Sequence, residues 1–236
     1  MCYTGWYNNH PLYMSRSPYF SPMVQNGLMD IAVNLVESYL RLNGYLTLSE
    51  FEIQGRGKDG VYRTLTDVDI VGLRFPGDIY AADSQDVEES RMLLIQDPDL
   101  YLEPDQIDVI IGEVKQGEAV FNPGLKDHQV LNTIIRRVGW VYGTDLDTVV
   151  RDVARDGIAV SPSCSGATVR TRLVAFGRSP VVDAHTISLS HIFEQMTSFM
   201  TDFDDVLKSA NFKDPAPALL RLLAKTGFTV RKGDER

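Results

Sequence analysis

The chain lacks most features of secreted, disulfide-bonded or membrane-spanning proteins. Its 236 residues include only two cysteines, Cys2 and Cys164, too few for a disulfide framework or a cysteine-based zinc site. No apolar run approaches the roughly 18 to 20 residues of a membrane helix. The first residues also lack the basic and apolar regions of a secretory signal. The sequence therefore predicts a cytoplasmic protein with no membrane partner.

Positive charge is also scarce. Lysine and arginine number 23 against 32 aspartates and glutamates, so the net charge is −9. This balance disfavours broad, non-specific binding of nucleic acid through a basic surface. It leaves open a local basic groove, or a carboxylate-rich site whose charge a divalent metal offsets. Internal repeats and low-complexity segments are absent, and the hydrophobic content of 44% is typical of a globular domain.

What is present divides the chain into three parts. Residues 1–22 combine aromatic side chains with prolines, which predicts an irregular aromatic-rich arm. Residues 23–190 predict an α/β core with an insertion at 76–107, and residues 191–236 predict a C-terminal helical extension. The predicted elements are a helix over 23–43, strands over 45–53, 62–75 and 108–115, helices over 125–141 and 145–155, strands over 168–176 and 186–189, and helices over 191–210 and 215–226. This order fits a mixed central sheet flanked by helices.

The stretch DVIIGEVK, residues 108–115, predicts a central strand with two charges at its end. The run from Val109 to Ile111 is apolar on both faces, which is typical of a strand covered on both sides. Glu113 and Lys115 would project from one face, one pleat apart. Because an isolated charge is costly to bury, these two should pair or hold an ion.

A second carboxylate precedes the insertion, in TDVDIVGLRF. Asp69 enters the apolar run from Ile70 to Leu73, where a free carboxylate would be costly. If the two strands are neighbours, Asp69 and Glu113 can share a divalent cation, and two carboxylates with a backbone carbonyl and water suit Mg²⁺. Lys115 could then orient or deprotonate an attacking water, or stabilise charge on a phosphate. The alternative is an ion pair at a strand end, with Asp69 in a turn.

An acidic residue leading into an apolar strand, followed by Glu-x-Lys on the next strand, resembles the PD-(D/E)xK (restriction-endonuclease-like) nuclease superfamily. The element order resembles its αβββαβ core, and LRLNGYLT, TDVDIVGL and IIGEVK look closest to the Mrr-like and archaeal Holliday-junction-resolvase-like branches. The resemblance covers roughly residues 34–141, with 168–176 as the following core strand. It implies that Asp69, Glu113 and the Val114 carbonyl hold Mg²⁺ or Mn²⁺, and that Lys115 is the catalytic lysine.

Two features depart from the superfamily pattern. The 44 positions from Asp69 to Glu113 exceed its usual interval. A literal Pro104-Asp105 also lies upstream of Glu113, but Asp105 falls in a proline-broken loop whereas Asp69 begins an apolar strand. Many members add a glutamate from the first helix, and Glu37 is the candidate here; an exposed helical glutamate is the alternative interpretation.

The resemblance implies a metal-dependent endonuclease that hydrolyses phosphodiester bonds in nucleic acid, DNA rather than RNA. One alternative is a catalytically inactive binding or assembly module of the same fold, and another is an effector that needs an activating partner protein. A homodimer is plausible because cutting two strands needs two sites. His185 and His191 show no spacing that suggests zinc. The candidate phosphate contacts are Arg56, Lys58, Arg63, Lys126 and Arg136.

Overall fold

The structure, a computed structural model, describes residues 30–77, 95–178, 185–207 and 212–228. The predicted arm and the middle of the predicted insertion lie outside these residues. The helices are α1 (Ile31–Leu42), α2 (His128–Arg137), α3 (Leu146–Asp156), α4 (Leu189–Asp202), α5 (Asp204–Leu207) and α6 (Pro215–Lys225). The strands are β1 (Leu46–Arg56), β2 (Tyr62–Arg74), β3 (Gln106–Val114), β4 (Ile158–Pro162), β5 (Thr168–Gly177) and β6 (His185–Ser188).

Capping residues fix where the helices nearest the sheet begin. Asp30 caps α1 by accepting a hydrogen bond from the Ala32 amide at 2.8 Å. Asp127 caps α2 through the amides of Gln129 and Val130. The helix predicted over 125–141 is therefore shorter, because the extended backbone of Asp127 separates α2 from a 3₁₀ turn at Pro123–Lys126, and a second 3₁₀ turn follows at Gly139–Val141.

The six strands form one mixed sheet in the order β1-β2-β3-β5-β4, and β6 also pairs with β5. β1, β2 and β3 are antiparallel neighbours, whereas β3 and β5 run parallel. On the other edge of β5, β4 pairs with Thr168–Arg172 and β6 pairs with Val174–Gly177. The sequence-based prediction missed β4, which has only five residues and directly follows the left-handed Gly157 at the end of α3.

Helices cover both faces of the sheet. One apolar core joins β3 to α2 and α3, and a second joins β3 to α1, α4 and α6. Every residue of β3 after Gln106 is buried, as expected of a strand covered on both sides. A mixed sheet flanked by helices is thus confirmed. Within the described ranges, no helix combines the length and apolar character that crossing a membrane requires.

Residues 95–105, which the sequence assigns to the insertion, pack into this domain. Leu100 is completely buried in the core beneath α1. The Ile95 amide donates to the Leu42 carbonyl at the end of α1. Asp105 is exposed in the turn before β3, as the proline-broken loop predicted.

Candidate functional site

The register of β2 and β3 brings Asp69 and Glu113 together. Ile70 pairs with Gly112, so one step further along the same antiparallel register Asp69 lies across from Glu113. Backbone pairing ends at this step. The Asp69 carboxylate instead accepts a hydrogen bond from the Val114 amide at 2.7 Å. Val114 therefore contributes its amide to this group, and the role of its carbonyl as a metal ligand stays a prediction.

Lys115 links the two carboxylates. Its Nζ forms an ion pair with Glu113 Oε1 and lies 3.7 Å from Asp69 Oδ2. The Glu113 side chain is 3% exposed, that of Asp69 22% and that of Lys115 40%. The group thus extends from a buried carboxylate to a lysine that solvent can reach.

Of the three residues, Glu113 has the least favourable environment for its charge. Burial raises the pKa of Glu113 above its ordinary value, the bond from Lys115 offsets only part of that rise, and the charge of Asp69 adds to it. Burial acts in the opposite direction on Lys115, but Glu113 and then Asp69 outweigh it, so the pKa of Lys115 is raised. Glu113 Oε2 is buried without a hydrogen-bond partner in the structure.

The carboxylate oxygens of Asp69 and Glu113 could serve as ligands of a divalent cation. An unpaired buried carboxylate oxygen is costly, and a cation bound to Glu113 Oε2 would remove that cost. Asp69 lies on the adjacent strand and within reach of the same lysine. Carboxylate oxygens are the ligands Mg²⁺ and Mn²⁺ prefer.

Glu37, the metal ligand predicted from the first helix, bonds to other protein groups in the structure, and its role as a ligand stays a prediction. Its Oε1 accepts hydrogen bonds from Arg41 Nη2 at 2.7 Å and from Thr47 and Ser49 at 3.0 Å each. These bonds tie α1 to β1. No contact joins Glu37 to Asp69 or Glu113 among the residues described.

A left-handed residue interrupts β1 opposite Asp69. Glu50 has φ 50° and no partner in the β1–β2 register, although its neighbours pair normally as Ser49 with Ile70 and Phe51 with Val68. Side chains two positions apart in a regular strand share a face. Here Ile70 packs in the core beneath α1, whereas Val68 packs in the core beneath α2. The sheet therefore changes its buried face at Glu50 and Asp69.

The rim of the site contains groups that the sequence-based reasoning missed. Gln116, directly after Lys115, donates to Asp30 Oδ1 at 3.3 Å, and the Asp30 amide lies 3.5 Å from Glu50 Oε1. These contacts bring the start of α1 and the kink of β1 beside the end of β3. The signal in the sequence was weak, because each residue lies in a different element.

The segment after β3 is held against β5. The Lys115 amide donates to the Phe176 carbonyl at 2.8 Å, and the Arg178 amide donates to the Gly117 carbonyl at 2.7 Å. A Cβ at Gly177 would lie 2.7 Å from the Ala119 nitrogen, so only glycine allows this approach. β5 therefore positions the chain that carries Lys115.

The five predicted phosphate contacts do not form one described surface. At the hairpin tip Arg63 pairs with Asp59, Arg56 bonds the Gly60 carbonyl and Lys58 is exposed. Lys126 lies 5.7 Å from the centre of the Phe121 ring, and Arg136 donates to Asn132 at 2.6 Å. No contact within the described ranges connects these side chains to Asp69 or Glu113.

A second buried carboxylate, Asp108, lies at the start of β3. It accepts hydrogen bonds from Arg170 Nε at 2.6 Å, from Arg172 Nη2 at 2.8 Å and from the Tyr45 hydroxyl at 2.6 Å. The same arginines donate to the Leu100 carbonyl. Arg170 and Arg172 thus bind protein groups.

Asp97, Asp99 and His191 form a third polar group. His191 Nε2 lies 2.6 Å from Asp97 Oδ2 and 3.4 Å from Asp99 Oδ2, close enough for the three to share a metal ion. Asp97 Oδ2 also accepts from the Tyr39 hydroxyl at 2.6 Å. Hydrogen bonds therefore satisfy Asp97 without an ion. No local pattern in the sequence indicates this group, because 94 positions separate Asp97 from His191.

The described elements run α1, β1, β2, β3, α2 and, after α3 and β4, the parallel strand β5. Comparisons with protein-family models, curated proteins and solved structures found no match for the chain. The function is therefore inferred from the geometry of Asp69, Glu113 and Lys115.

Proposed function

We propose that the protein is a metal-dependent nuclease that hydrolyses phosphodiester bonds in nucleic acid, with DNA as the first substrate to test. The observation that carries this proposal is the convergence of Asp69, Glu113 and Lys115 at the meeting of two strands, with one buried oxygen of Glu113 unpaired. A buried carboxylate oxygen without a protein hydrogen bond is costly, and a bound cation would remove that cost. The pattern is that of a site built around a cation.

Each residue has a defined task in this proposal. Asp69 and Glu113 hold Mg²⁺ or Mn²⁺, which when bound supplies Lewis-acid stabilisation of the phosphate and a more acidic water. The Val114 amide fixes the Asp69 carboxylate, which keeps it aligned with Glu113. Lys115 places a positive charge at the solvent-exposed side of the pair, where it can orient water or contact a phosphate oxygen.

The order of elements also supports the proposal. Three antiparallel strands after a helix, then a helix and a strand parallel to the third, agree with the αβββαβ core of the PD-(D/E)xK superfamily. In that core the acidic residue lies on the second strand and Glu-x-Lys on the third. Asp69 on β2 and Glu113 with Lys115 on β3 and its end follow the same arrangement.

A second candidate is a non-catalytic binding or assembly module of the same fold. It is favoured by the net charge of −9 and by basic side chains that bind neighbouring protein groups, such as Arg63 with Asp59. Under this alternative Lys115 neutralises Glu113 and nothing more. An activating partner that supplies basic surface would reconcile the acidic chain with nuclease activity.

The test is divalent-dependent cleavage of supercoiled plasmid and of branched DNA by the purified chain. We expect Lys115→Ala to lower the rate at least about a hundredfold, comparable with loss of one transition-state donor. Lys225→Ala, an exposed lysine at the end of α6, is the control and should cleave normally. Equal activity of wild type and Lys115→Ala would refute the mechanism, and DNA binding without cleavage would favour the module.

A further inference from the structure

His191 meets two aspartates that come from a distant part of the chain. Asp97 and Asp99 lie at the 3₁₀ turn Pro98–Leu100, whereas His191 lies in the first turn of α4, where its amide donates to the Ser188 hydroxyl at 3.1 Å. His191 Nε2 is 2.6 Å from Asp97 Oδ2 and 3.4 Å from Asp99 Oδ2. The fold therefore brings one imidazole and two carboxylates to a single point.

Asp97 is a buried carboxylate that contacts no lysine or arginine among the residues that the structure describes. Its side chain is completely buried, and its Oδ2 bonds to the Tyr39 hydroxyl and to His191 Nε2. Asp108, which is buried almost as deeply, has two arginines instead. Buried charges are generally paired with an opposite charge or bound to a metal. Only a protonated His191 would supply positive charge here, and one imidazole faces two carboxylates.

The ligand atoms are close enough to bind one ion. One oxygen from each aspartate and a nitrogen of His191 all lie within 4.8 Å of one another. Ligands of a tetrahedral ion, each about 2.0–2.1 Å from the metal, are about 3.3 Å apart. The separation of His191 from Asp99 already suits such an ion, and that from Asp97 has to widen by less than about 1 Å. The ion would replace the Nε2 proton that the hydrogen bond to Asp97 uses.

The surroundings meet two further requirements of a metal site, which are ligands held in place by other groups and a path from solvent. The Tyr39 hydroxyl donates to Asp97 Oδ2 at 2.6 Å, and the Asp97 amide donates to Asn43 Oδ1 at 2.8 Å. The side chains of His191 and Asp99 are 24% and 56% exposed. An ion can therefore enter from solvent and keep water as its remaining ligand.

We propose that Asp97, Asp99 and His191 bind a transition-metal ion such as Zn²⁺. An imidazole nitrogen with two carboxylate oxygens suits Zn²⁺, whereas Mg²⁺ is bound through oxygen ligands and water. The site is separate from the one proposed to hold Mg²⁺ or Mn²⁺ and does not depend on nuclease activity. The bound ion fastens the turn that carries the buried Leu100 to α4, so it stabilises the fold.

Titration of the full, EDTA-treated and dialysed chain with Zn²⁺, followed by calorimetry and by the melting temperature, tests this proposal. Asp99→Asn keeps the shape of an exposed side chain, and we expect its Zn²⁺ affinity to fall at least about tenfold, with a similar loss in His191→Gln. Zn²⁺ should raise the melting temperature of wild type more than that of either variant. His128→Gln, at an exposed histidine of α2, is the matched control and should bind as wild type does.

The outcomes distinguish this site from the proposed nuclease site. If Asp99→Asn and His191→Gln both bind Zn²⁺ within about twofold of wild type, or wild type binds none at neutral pH, the three side chains form an ion pair only and the proposal is wrong. Asp69→Asn should keep the binding, and its loss there would place the ion at Asp69 and overturn the proposal. Binding that survives in Asp69→Asn and is lost in His191→Gln would support this site even if the chain never cleaves DNA.

Discussion

β3 carries a buried carboxylate at each end, and the protein treats the two differently. Asp108, near the start, accepts hydrogen bonds from two arginines and a tyrosine. Glu113, near the end, has Lys115 on one oxygen and no hydrogen bond on the other. Both side chains are 3% exposed, so burial alone does not distinguish them. The difference lies in whether the protein itself satisfies the charge.

The two carboxylates also differ in pKa. Burial alone would raise the pKa of Asp108, but the guanidinium groups of Arg172 and Arg170 outweigh it and hold that pKa below its ordinary value. Burial dominates at Glu113, so its pKa is raised. A satisfied buried charge stabilises the fold, whereas a costly one is a candidate functional residue.

The Asp108 network extends well beyond β3. His185 Nδ1 lies 2.6 Å from Arg172 Nη1, and burial followed by the Arg172 charge lowers the pKa of His185, so its ring accepts that bond in the neutral form. Its Nε2 faces the Asp99 carbonyl at 3.1 Å. The network thereby fastens residues 97–101 and β6 to the centre of the sheet.

Removing the charge of Asp108 should produce the largest effect. Asp108→Asn leaves Arg170 and Arg172 buried without a counter-ion, so we expect the free energy of unfolding to fall by about 3–5 kcal/mol. Urea unfolding measures it, with Asp105→Asn in the exposed turn before β3 as the control. A loss below about 1 kcal/mol would mean that the arginines do not depend on Asp108.

An intermediate effect is expected where β5 supports the Glu113 end. In Gly177→Ala the new Cβ meets the Ala119 backbone at 2.7 Å, and we expect a loss of about 1–3 kcal/mol in unfolding free energy. Cleavage should fall as well, because the segment carrying Lys115 must shift. Gly117→Ala is the control, since nothing lies within 4 Å of a Cβ there. Equal melting temperatures for the two variants would contradict the close packing.

The sequence predicts the Glu113 end better than the Asp108 end. Glu113 and Lys115 are two positions apart, so strand periodicity alone places them on one face. Placing Asp69 beside them needed one further assumption, that β2 and β3 are neighbours, which is correct. Asp108 gave no comparable signal, because its partners lie more than 60 positions away on β5 or on the far side of the insertion.

The sequence also did not predict the side-chain contacts of Glu37 or the backbone conformation of Glu50. The resemblance made Glu37 a candidate metal ligand, and an exposed helical glutamate was the alternative. The structure shows a buried glutamate that accepts hydrogen bonds from Arg41, Thr47 and Ser49. The stretch from Ser49 to Ile53 does not predict a left-handed residue at Glu50, because glutamate rarely adopts that conformation. Both depend on tertiary contacts.

The smallest effect on stability should come from Glu113→Gln. Burial already disfavours the Glu113 carboxylate and Lys115 is 40% exposed, so the neutral variant should change the free energy of unfolding by less than about 1 kcal/mol at neutral pH. Cleavage should nevertheless be lost, because the amide removes a metal ligand. Urea unfolding in EDTA and the plasmid assay measure the two quantities. A loss comparable with that of Asp108→Asn would make Glu113 a structural residue.

The contributions of Glu113 and Asp108 to stability should change with pH in opposite directions. A raised pKa means that the Glu113 contribution to stability is present below its ordinary value of 4.5 and is lost as the pH rises through the folded-state pKa. A lowered pKa means that the Asp108 contribution is present above 3.8 and is lost as the pH falls through its folded-state pKa. In EDTA, the free energy of unfolding of wild type should therefore exceed that of Asp108→Asn by less in acid than at neutral pH. Relative to Glu113→Gln, wild type should instead become more stable as the pH falls. Unfolding titrations from about pH 3 to about pH 8 measure both slopes, and slopes of the same sign would show that the protein satisfies both carboxylates alike.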